Sequence, residues 1–322
     1  MAGPTFSPPP IDLGRGWVGA KPRTVEVFED FEMPVAEGRR KPGDRAVRQP
    51  VAAAIAEVFL VRVATYNIHT CIGVDRRYDP GRVGAVLREI DADIVSLQEV
   101  DARRRSDRYA DQWAYLGEVT GCRVITGTGI REHRGRFDNA ILTRFPVLAA
   151  RAIDLTIAGY EPRGAIDADL MIGDRVLRVI ATHFGLHATE RRLQANRLMA
   201  VLGEPLAANR RAAHAMLLMG DLNEWRGRSG AIRSLDRRLG PSAAARTFPS
   251  WLPVLALDRI YADGPAVLRD VYVYRSPLAR LASDHLPLVG NLYWSVHGPR
   301  HRERPRVSRR RVRSPVNQWA DS

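Results

Sequence analysis

Apolar and polar positions in the middle of the chain switch repeatedly between a period of two and a period near 3.6. The segment FLVRVATYN, Phe59 to Asn67, is rich in β-formers and closes on a polar residue, which predicts a strand. Asp79 and Pro80 then read as a helix N-cap and first-turn proline. Val83, Val86, Leu87 and Ile90 follow at i, i+3, i+4 and i+7, as one helix face requires. DIVSLQEV is a second strand, ending in Gln98 and Glu99, and NAILTRF, VLRVIATH, MLLMG, LALDRIYA, DVYVYR and HLPLVGNLYW supply more. A second helix is predicted from about Thr189 through Leu202, with Leu193, Leu198, Val201 and Leu202 towards the core. No repeat of solenoid period is present. Many strands with a few peripheral helices imply stacked sheets flanked by helices, an α/β architecture.

The two ends lack such patterning. Residues 1–57 hold FSPPP, DLGRG and GRRKPGDR, with frequent Pro and Gly, and read as a flexible N-terminal arm. Residues 299–322 read as a basic disordered tail, which leaves residues 58–298 as the folded domain.

Composition changes this picture little. An apolar fraction of 45% with 26% charged residues belongs to a soluble globular protein. The best apolar run, Val51 to Val61, is broken by Glu57, so a membrane-spanning helix is not expected. The N-terminus has no basic stretch followed by an apolar one, so no signal peptide is expected. Cys71 and Cys122 are too few for a disulfide framework and lack metal-ligand spacing; both read as reduced thiols in a cytoplasmic protein.

Net charge matters more. A value of +13 suggests a polyanionic partner. Two features weaken that inference. Only Lys21 and Lys41 are lysines, as in a proteome biased towards Arg and Ala. The tail from Pro299 also carries eight Arg against Glu303 and Asp321, while residues 1–58 balance to zero, so the domain itself is only mildly basic. The run RERPRVSRRRVRS could tether nucleic acid or anionic lipid, or could be a solvated tail. Nothing in the sequence fixes an oligomeric state.

Candidate chemistry sits at the ends of the apolar segments. ATYNIH closes on Asn67 and His69, SLQEV carries Glu99, VIATHFG carries His183, and LLMGDLN carries Asp221 and Asn223. VLALDRI holds Asp258, and LASDHLPL holds Asp284 and His285. One such case is usually a turn, in which Asp and Asn bond their own backbone. Six together form a cluster of carboxylates, amides and imidazoles if the ends converge. Hard oxygen donors of this kind suit Mg²⁺ or Mn²⁺ rather than zinc.

TYNIH, LQEV, NAILTRFP, THFG, GDLNEW, LDRIYA and SDHLPL resemble, in order, the motifs of the endonuclease/exonuclease/phosphatase superfamily, which includes deoxyribonuclease I-like nucleases, sphingomyelinases and inositol polyphosphate 5-phosphatases. The resemblance covers roughly Val61 to Tyr293 and implies a four-layered α/β sandwich, two packed mixed sheets with helices outside. It also implies metal-dependent hydrolysis of a phosphoester.

Carried over residue by residue, Glu99 resembles the principal Mg²⁺ ligand, supported by Asn67, with Asp284 as a second carboxylate of the metal site. Asp221 resembles the carboxylate that orients or deprotonates the attacking water, and Asn223 the donor to the phosphoryl oxygens. His285 resembles the imidazole beside the scissile phosphate, held by Asp258, as base or as phosphate stabiliser. His183 resembles a general acid for the departing oxygen; exonuclease III-like enzymes have Tyr there, so an abasic-site repair enzyme is disfavoured. His69 departs from the Asp or Arg of several branches. Because imidazole ligates Mg²⁺ poorly, it is read as a phosphate contact. Asp138 and Asn139 fall where the family often supports the catalytic His or the phosphate, or else form a turn before a strand. Glu224 reads as a local helix-start or turn residue.

The reading is therefore a Mg²⁺-dependent phosphodiesterase, nuclease-like in its residues. The alternatives are a phospholipid or sphingolipid headgroup phosphodiesterase, a small-molecule phosphatase, and a non-catalytic Arg-tailed adaptor. An Arg-lined groove beside the site would favour nucleic acid. An exposed aromatic hairpin would favour lipid, and TFPSWLP, with Phe248 and Trp251, is the candidate for it.

Overall fold

A computed structural model of the chain describes residues 23–27, 56–101, 112–127, 138–203, 215–227 and 229–295. In chain order the elements begin with β1 (Arg23–Val27), β2 (Ala56–Asn67), α1 (Pro80–Ile90), β3 (Ile94–Val100), α2 (Gln112–Thr120), β4 (Arg123–Thr126) and β5 (Asp138–Thr143). They continue with β6 (Val147–Asp154), β7 (Gly164–Ile172), β8 (Arg175–His183), α3 (Ala188–Leu202) and β9 (Ala215–Asp221). The last are α4 (Gly230–Leu239), β10 (Ala243–Ala244), β11 (Asp258–Asp263), β12 (Val267–Val273), α5 (Pro277–Ala282) and β13 (Leu288–Ser295).

The strands form two mixed sheets. One runs β12-β13-β2-β3-β5-β4, with β1 paired to the start of β2; the other runs β10-β11-β9-β8-β7-β6. Alternation along β2 shows how the layers arise. Val61 and Val63 point into the core between the sheets, with Ile94, Leu177, Val179, Leu217 and Met219, whereas Ala64 and Tyr66 face α1 and α5 outside. On the far side, Ile180, Leu218 and Tyr261 pack under α3 and α4. The result is the expected four-layered sandwich, helices outside two packed sheets.

Direction, rather than composition, brings the polar strand ends together. Each sheet contains one parallel pair joined across its outer face by a helix: β2 and β3 through α1, β8 and β9 through α3. Both pairs deliver their C-terminal ends to one rim, where open α/β sheets bind ligands. Antiparallel β11 and β13 run the other way, so Asp258 and the residues just before Leu288 arrive at the same rim. Strand β11 begins at Asp258 itself; Leu255 to Leu257 lie outside it.

Several local expectations change. Asp79 occupies the N-cap position of α1 but makes no side-chain cap hydrogen bond; its carboxylate instead lies 3.3 Å from Arg82 Nε. Leu193 is 37% exposed, because the inner face of α3 is given to Glu190, Arg191, Gln194 and Ala195 as well as Leu198 and Leu202. Within the segment read as an arm, residues 23–27 form β1, antiparallel to residues 56–60. The Arg-rich tail lies outside the described residues. Cys71 and Cys122 are buried and unpaired. Among the described residues no helix is long and apolar enough to cross a membrane.

Candidate active site

Asp221, the last residue of β9, is the hub of the rim. It is the register partner of His183 across parallel β8 and of Asp258 across antiparallel β11. The preceding Gly220 allows this approach: a Cβ there would sit 1.9 Å from the Thr182 carbonyl oxygen. Asp221 Oδ2 accepts from Asn67 Nδ2 (3.1 Å), and Oδ1 accepts from the Asn223 backbone N–H (2.8 Å). Burial, reinforced by the Asp258 charge, raises the Asp221 carboxyl to about 6 against the pull of His285 and the two donors.

Glu99 reaches the rim through an irregularity. Between Leu97 and Val100 the β3–β5 register shifts, and Glu99 takes a left-handed φ of 58°. A bulge of this kind re-aims a side chain that strict alternation would send elsewhere. Asn67 Nδ2 holds its Oε1 at 2.8 Å. Asn223 and His69 are left-handed as well, at φ 50° and 45°. Such non-glycine conformations cost about 1–3 kcal/mol each and cluster where function requires them.

His69 N–H donates to Asn67 Oδ1 (3.0 Å), and His69 Nδ1 donates to the Ile72 carbonyl (3.1 Å). A neutral His69 therefore presents only a lone pair at Nε2, and contact with phosphate through that atom needs the doubly protonated ring. Its Nδ1 lies 3.9 Å from Asp284 Oδ1. Asn139 donates to the Gly164 carbonyl at the start of β7 (2.8 Å), so the contact it makes is with the backbone beside Arg163.

His285 lies between two carboxylates. Its Nδ1 donates to Asp258 Oδ2 (2.9 Å), which also accepts from Thr247 Oγ1 (2.5 Å), and its Nε2 is 3.6 Å from Asp221 Oδ2. Phe248 covers the ring at 4.9 Å between centroids. Burial opposes the ring's charge, but Asp258 and Asp221 outweigh it and lift His285 to about 10. The imidazolium is the form this geometry favours. A ring that keeps its proton at neutral pH is a stabiliser of negative charge rather than a base.

His183 has the opposite environment. Its Nε2 is 3.7 Å from Asp221 Oδ2, 4.0 Å from Glu99 Oε1 and 3.0 Å from Asn223 Nδ2, while Arg163 approaches Nδ1 at 3.2 Å. Burial, then the charges of Arg163 and His285, hold His183 well below the usual imidazole range.

Which side chains fit a cation? The donor atoms of Asp221, Asp258 and His285 all lie within 4.8 Å of one another. Asp258 Oδ2 and His285 Nδ1 are, however, spent on each other, and a protonated ring cannot ligate; Asp258 Oδ1 is buried without a hydrogen-bond partner. Glu99 and Asp284 have no Arg or Lys partner among the described residues, and Ser283 Oγ, beside Asp284, donates to the Asn67 carbonyl (2.8 Å). Carboxylate oxygens without protein counter-charge are the donors a hard divalent cation takes, which Glu99 and Asp284 offer; the Asn67 amide turns its nitrogen to Glu99 and Asp221 and its oxygen to the His69 N–H.

A buried ion pair supports the loops that carry these groups. Glu224 Oε2 accepts from Arg191 Nε (3.2 Å) and NH2 (3.0 Å), and Arg191 NH1 donates to the Leu186 carbonyl. Glu224 is thus a buried partner of α3, not merely a turn residue. Arg163, Arg191 and Thr247 were missed by sequence reasoning. Each acts through a residue distant in the chain, and no local spacing announces that.

Residues 247–255 form a tight hairpin, closed by an antiparallel bridge between Phe248 and Leu255. Trp251, Leu252 and Val254 on it are 66%, 55% and 51% exposed. Ser250 N–H ties the hairpin to the Asp284 carbonyl (2.6 Å).

Residues 64–285 match the sequence model of the Endonuclease/Exonuclease/phosphatase family. Escherichia coli (strain K12) YbhP, whose name describes it as uncharacterized, is 27% identical over 253 residues, covering 73% of this chain and 97% of YbhP. Among solved structures, an endonuclease/exonuclease/phosphatase from Bacteroides vulgatus superimposes with a TM-score of 0.59 at 18% identity, covering 72% of this chain and 98% of its own. The mannosyl-6-phosphatase of Bacteroides thetaiotaomicron gives 0.55 at 16% identity, covering 72% and 99%.

Proposed function

The chain belongs to the endonuclease/exonuclease/phosphatase family, whose members are generally phosphoester hydrolases, and on that premise we propose that it is a Mg²⁺-dependent phosphodiesterase acting on nucleic acid. The observation that carries the reading is the placement of Asp221: buried, oriented by Asn67 and the Asn223 N–H, and flanked by His285 and His183. A carboxylate so fixed holds a water on one line of approach and takes its proton as the water attacks phosphorus. Glu99, Asn67 and Asp284 would hold a divalent cation, which when bound would supply positive charge to offset the negative charge of the transition state. The His285 imidazolium and the Asn223 amide add donors to the same oxygens. His183 serves the departing oxygen.

Plasmid nicking in Mg²⁺ tests this, comparing wild type with Asp221→Asn and with an EDTA control. Nicking by wild type alone is the expected result. An intact plasmid, from folded protein that binds Mg²⁺, rejects the nucleic-acid substrate.

A second reading rests on the hairpin. Trp251, Leu252 and Val254 are exposed on a rigid turn bonded to the backbone of Asp284, as an enzyme taking phospholipid headgroups from an interface would require. Release of phosphorylated headgroup from vesicles, lost when Trp251 and Leu252 are both changed to Ser, supports it. No release rejects it.

A further inference from the structure

We propose that Arg163 is a positioning residue that fixes His183 as the Nε2–H tautomer, so that His183 offers the substrate a neutral N–H donor rather than a proton to transfer. The inference rests on the phosphodiesterase reading only for the identity of the accepting atom, an oxygen of the phosphoryl group or of the departing group.

A guanidinium has five N–H donors, no acceptor, and keeps its proton in proteins. With Arg163 NH1 3.2 Å from His183 Nδ1, the hydrogen bond forms only if Nδ1 carries the lone pair. In a neutral ring the proton then sits on Nε2.

Arg163 is held there from several sides. Its NH2 donates to Glu161 Oε2 (2.9 Å), and its own carbonyl accepts from Leu155 N–H (2.9 Å). The carbonyl of the next residue, Gly164, accepts from Asn139 Nδ2 of one sheet (2.8 Å) and Thr182 Oγ1 of the other (3.3 Å). Arg163 Nε is buried and meets no acceptor.

On the other side of the ring, Asn223 Nδ2 lies 3.0 Å from Nε2 while donating to the Phe184 carbonyl (2.9 Å). Donors thus face both ring nitrogens, and a neutral imidazole has one lone pair to give. The charged donor prevails, because hydrogen bonds from an ionised group are about twice as strong as neutral ones. The Nε2–H that results has no protein acceptor within hydrogen-bond distance: Asp221 Oδ2 is 3.7 Å away and Glu99 Oε1 is 4.0 Å away. A buried N–H beside the catalytic carboxylates, with a second donor rather than an acceptor as its nearest neighbour, is completed by an acceptor that arrives with the substrate.

The direct test is two-bond ¹H–¹⁵N correlation on the full chain labelled with ¹⁵N in the histidine rings, with His183 assigned by His183→Gln. Wild type should show the Nε2–H pattern, Arg163→Lys should keep it, and Arg163→Met should move towards Nδ1–H. An Nδ1–H or imidazolium pattern in wild type overturns the proposal, and so does a pure Nε2–H pattern in folded Arg163→Met. If Arg163→Met does not fold, the wild-type and Arg163→Lys spectra still decide.

Kinetics on bis(p-nitrophenyl) phosphate add a second readout. Arg163→Met should lower kcat by about 100-fold with KM little changed, the lower end of the range for losing one oriented donor, and Arg163→Lys should recover most of it. Loss of kcat with no change of tautomer would give Arg163 some other role and overturn the proposal. Absence of turnover in wild type would count against the phosphodiesterase reading while leaving the tautomer result to stand or fall by itself.

Discussion

Asp258 lies directly across the antiparallel β9–β11 ladder from Asp221, and one imidazole, His285, spans the two carboxylates at 2.9 and 3.6 Å. Like charges opposite each other destabilise a sheet, so the pair depends on the His285 proton. His285→Ala should cost about 3–5 kcal/mol, the range for leaving buried charge uncompensated. His285→Ala with Asp258→Asn should recover part of that. Urea unfolding of the three proteins measures it, and an unchanged midpoint for the single variant would refute the coupling.

The same pair sets a pH window. His285 is raised in the fold, so the stability its proton confers is complete below the ordinary imidazole range and is lost as pH climbs through about 10. Asp221 is also raised, so its ionisation weakens the fold as pH rises through about 6, although catalysis needs that ionised form. Activity should rise through the Asp221 transition and fall through that of His285, giving a bell. A rate that does not vary over this interval, with the protein folded, would exclude these roles.

Arg191 and Glu224 are both buried, and each satisfies the other. Arg191→Met should cost about 3–5 kcal/mol through the stranded carboxylate, whereas Arg191→Met combined with Glu224→Met should be closer to wild type. The double variant should still lose activity, because Arg191 also holds the Leu186 carbonyl in the loop after His183. Denaturation and turnover, measured on the same samples, separate the two effects.

Gly220→Ala should be worse than most single core changes. The new methyl would meet a backbone carbonyl, Thr182 O, which cannot rotate away as a side chain could. β8 and β9 would have to part at the strand ends that carry His183 and Asp221. A loss at or above the roughly 1–3 kcal/mol of ordinary overpacking is expected, with activity falling further than stability. A melting temperature equal to that of wild type would contradict the close approach.

Glu99 separates metal binding from folding. Mg²⁺ should raise the melting temperature of wild type by mass action, and Glu99→Gln should remove that rise and the turnover together. Glu99→Gly should also be inactive, yet at least as stable as Glu99→Ala, because φ at this position is 58°. Chelation should abolish wild-type turnover and added Mg²⁺ should restore it. Activity that survives chelation would eliminate the metal-dependent reading.

Much of the architecture is legible in the sequence. Runs of β-formers and apolar residues in FLVRVATYN, VLRVIATH and MLLMG identify core strands, and their polar ends identify the rim at which Asn67, Glu99, His183, Asp221, Asn223, Asp258 and His285 meet. The sequence pattern does not announce β1, β4, β6, β7 and β10 or the helices α2, α4 and α5: several are short or only weakly patterned, with packing supplying what propensity does not. In α3, Leu193 points outward because Arg191 and Gln194 take the inner face to reach loops that the helix sequence does not contain.

What the sequence by itself determined is therefore periodic or local: strands, two helices, and the chemical types gathered at the ends of apolar runs. The tertiary structure alone decided direction, register and partnership. It brought Arg163 behind His183 from twenty positions away, introduced the shift in β3 that aims Glu99, and gave His285 a carboxylate on its Nδ1 where His183 has a guanidinium. The reason is physical. Hydrophobic burial repeats with the geometry of a strand or a helix and so leaves a trace along the chain. The charge on an imidazole depends on which groups the finished fold brings within a few ångströms, whatever their distance in sequence.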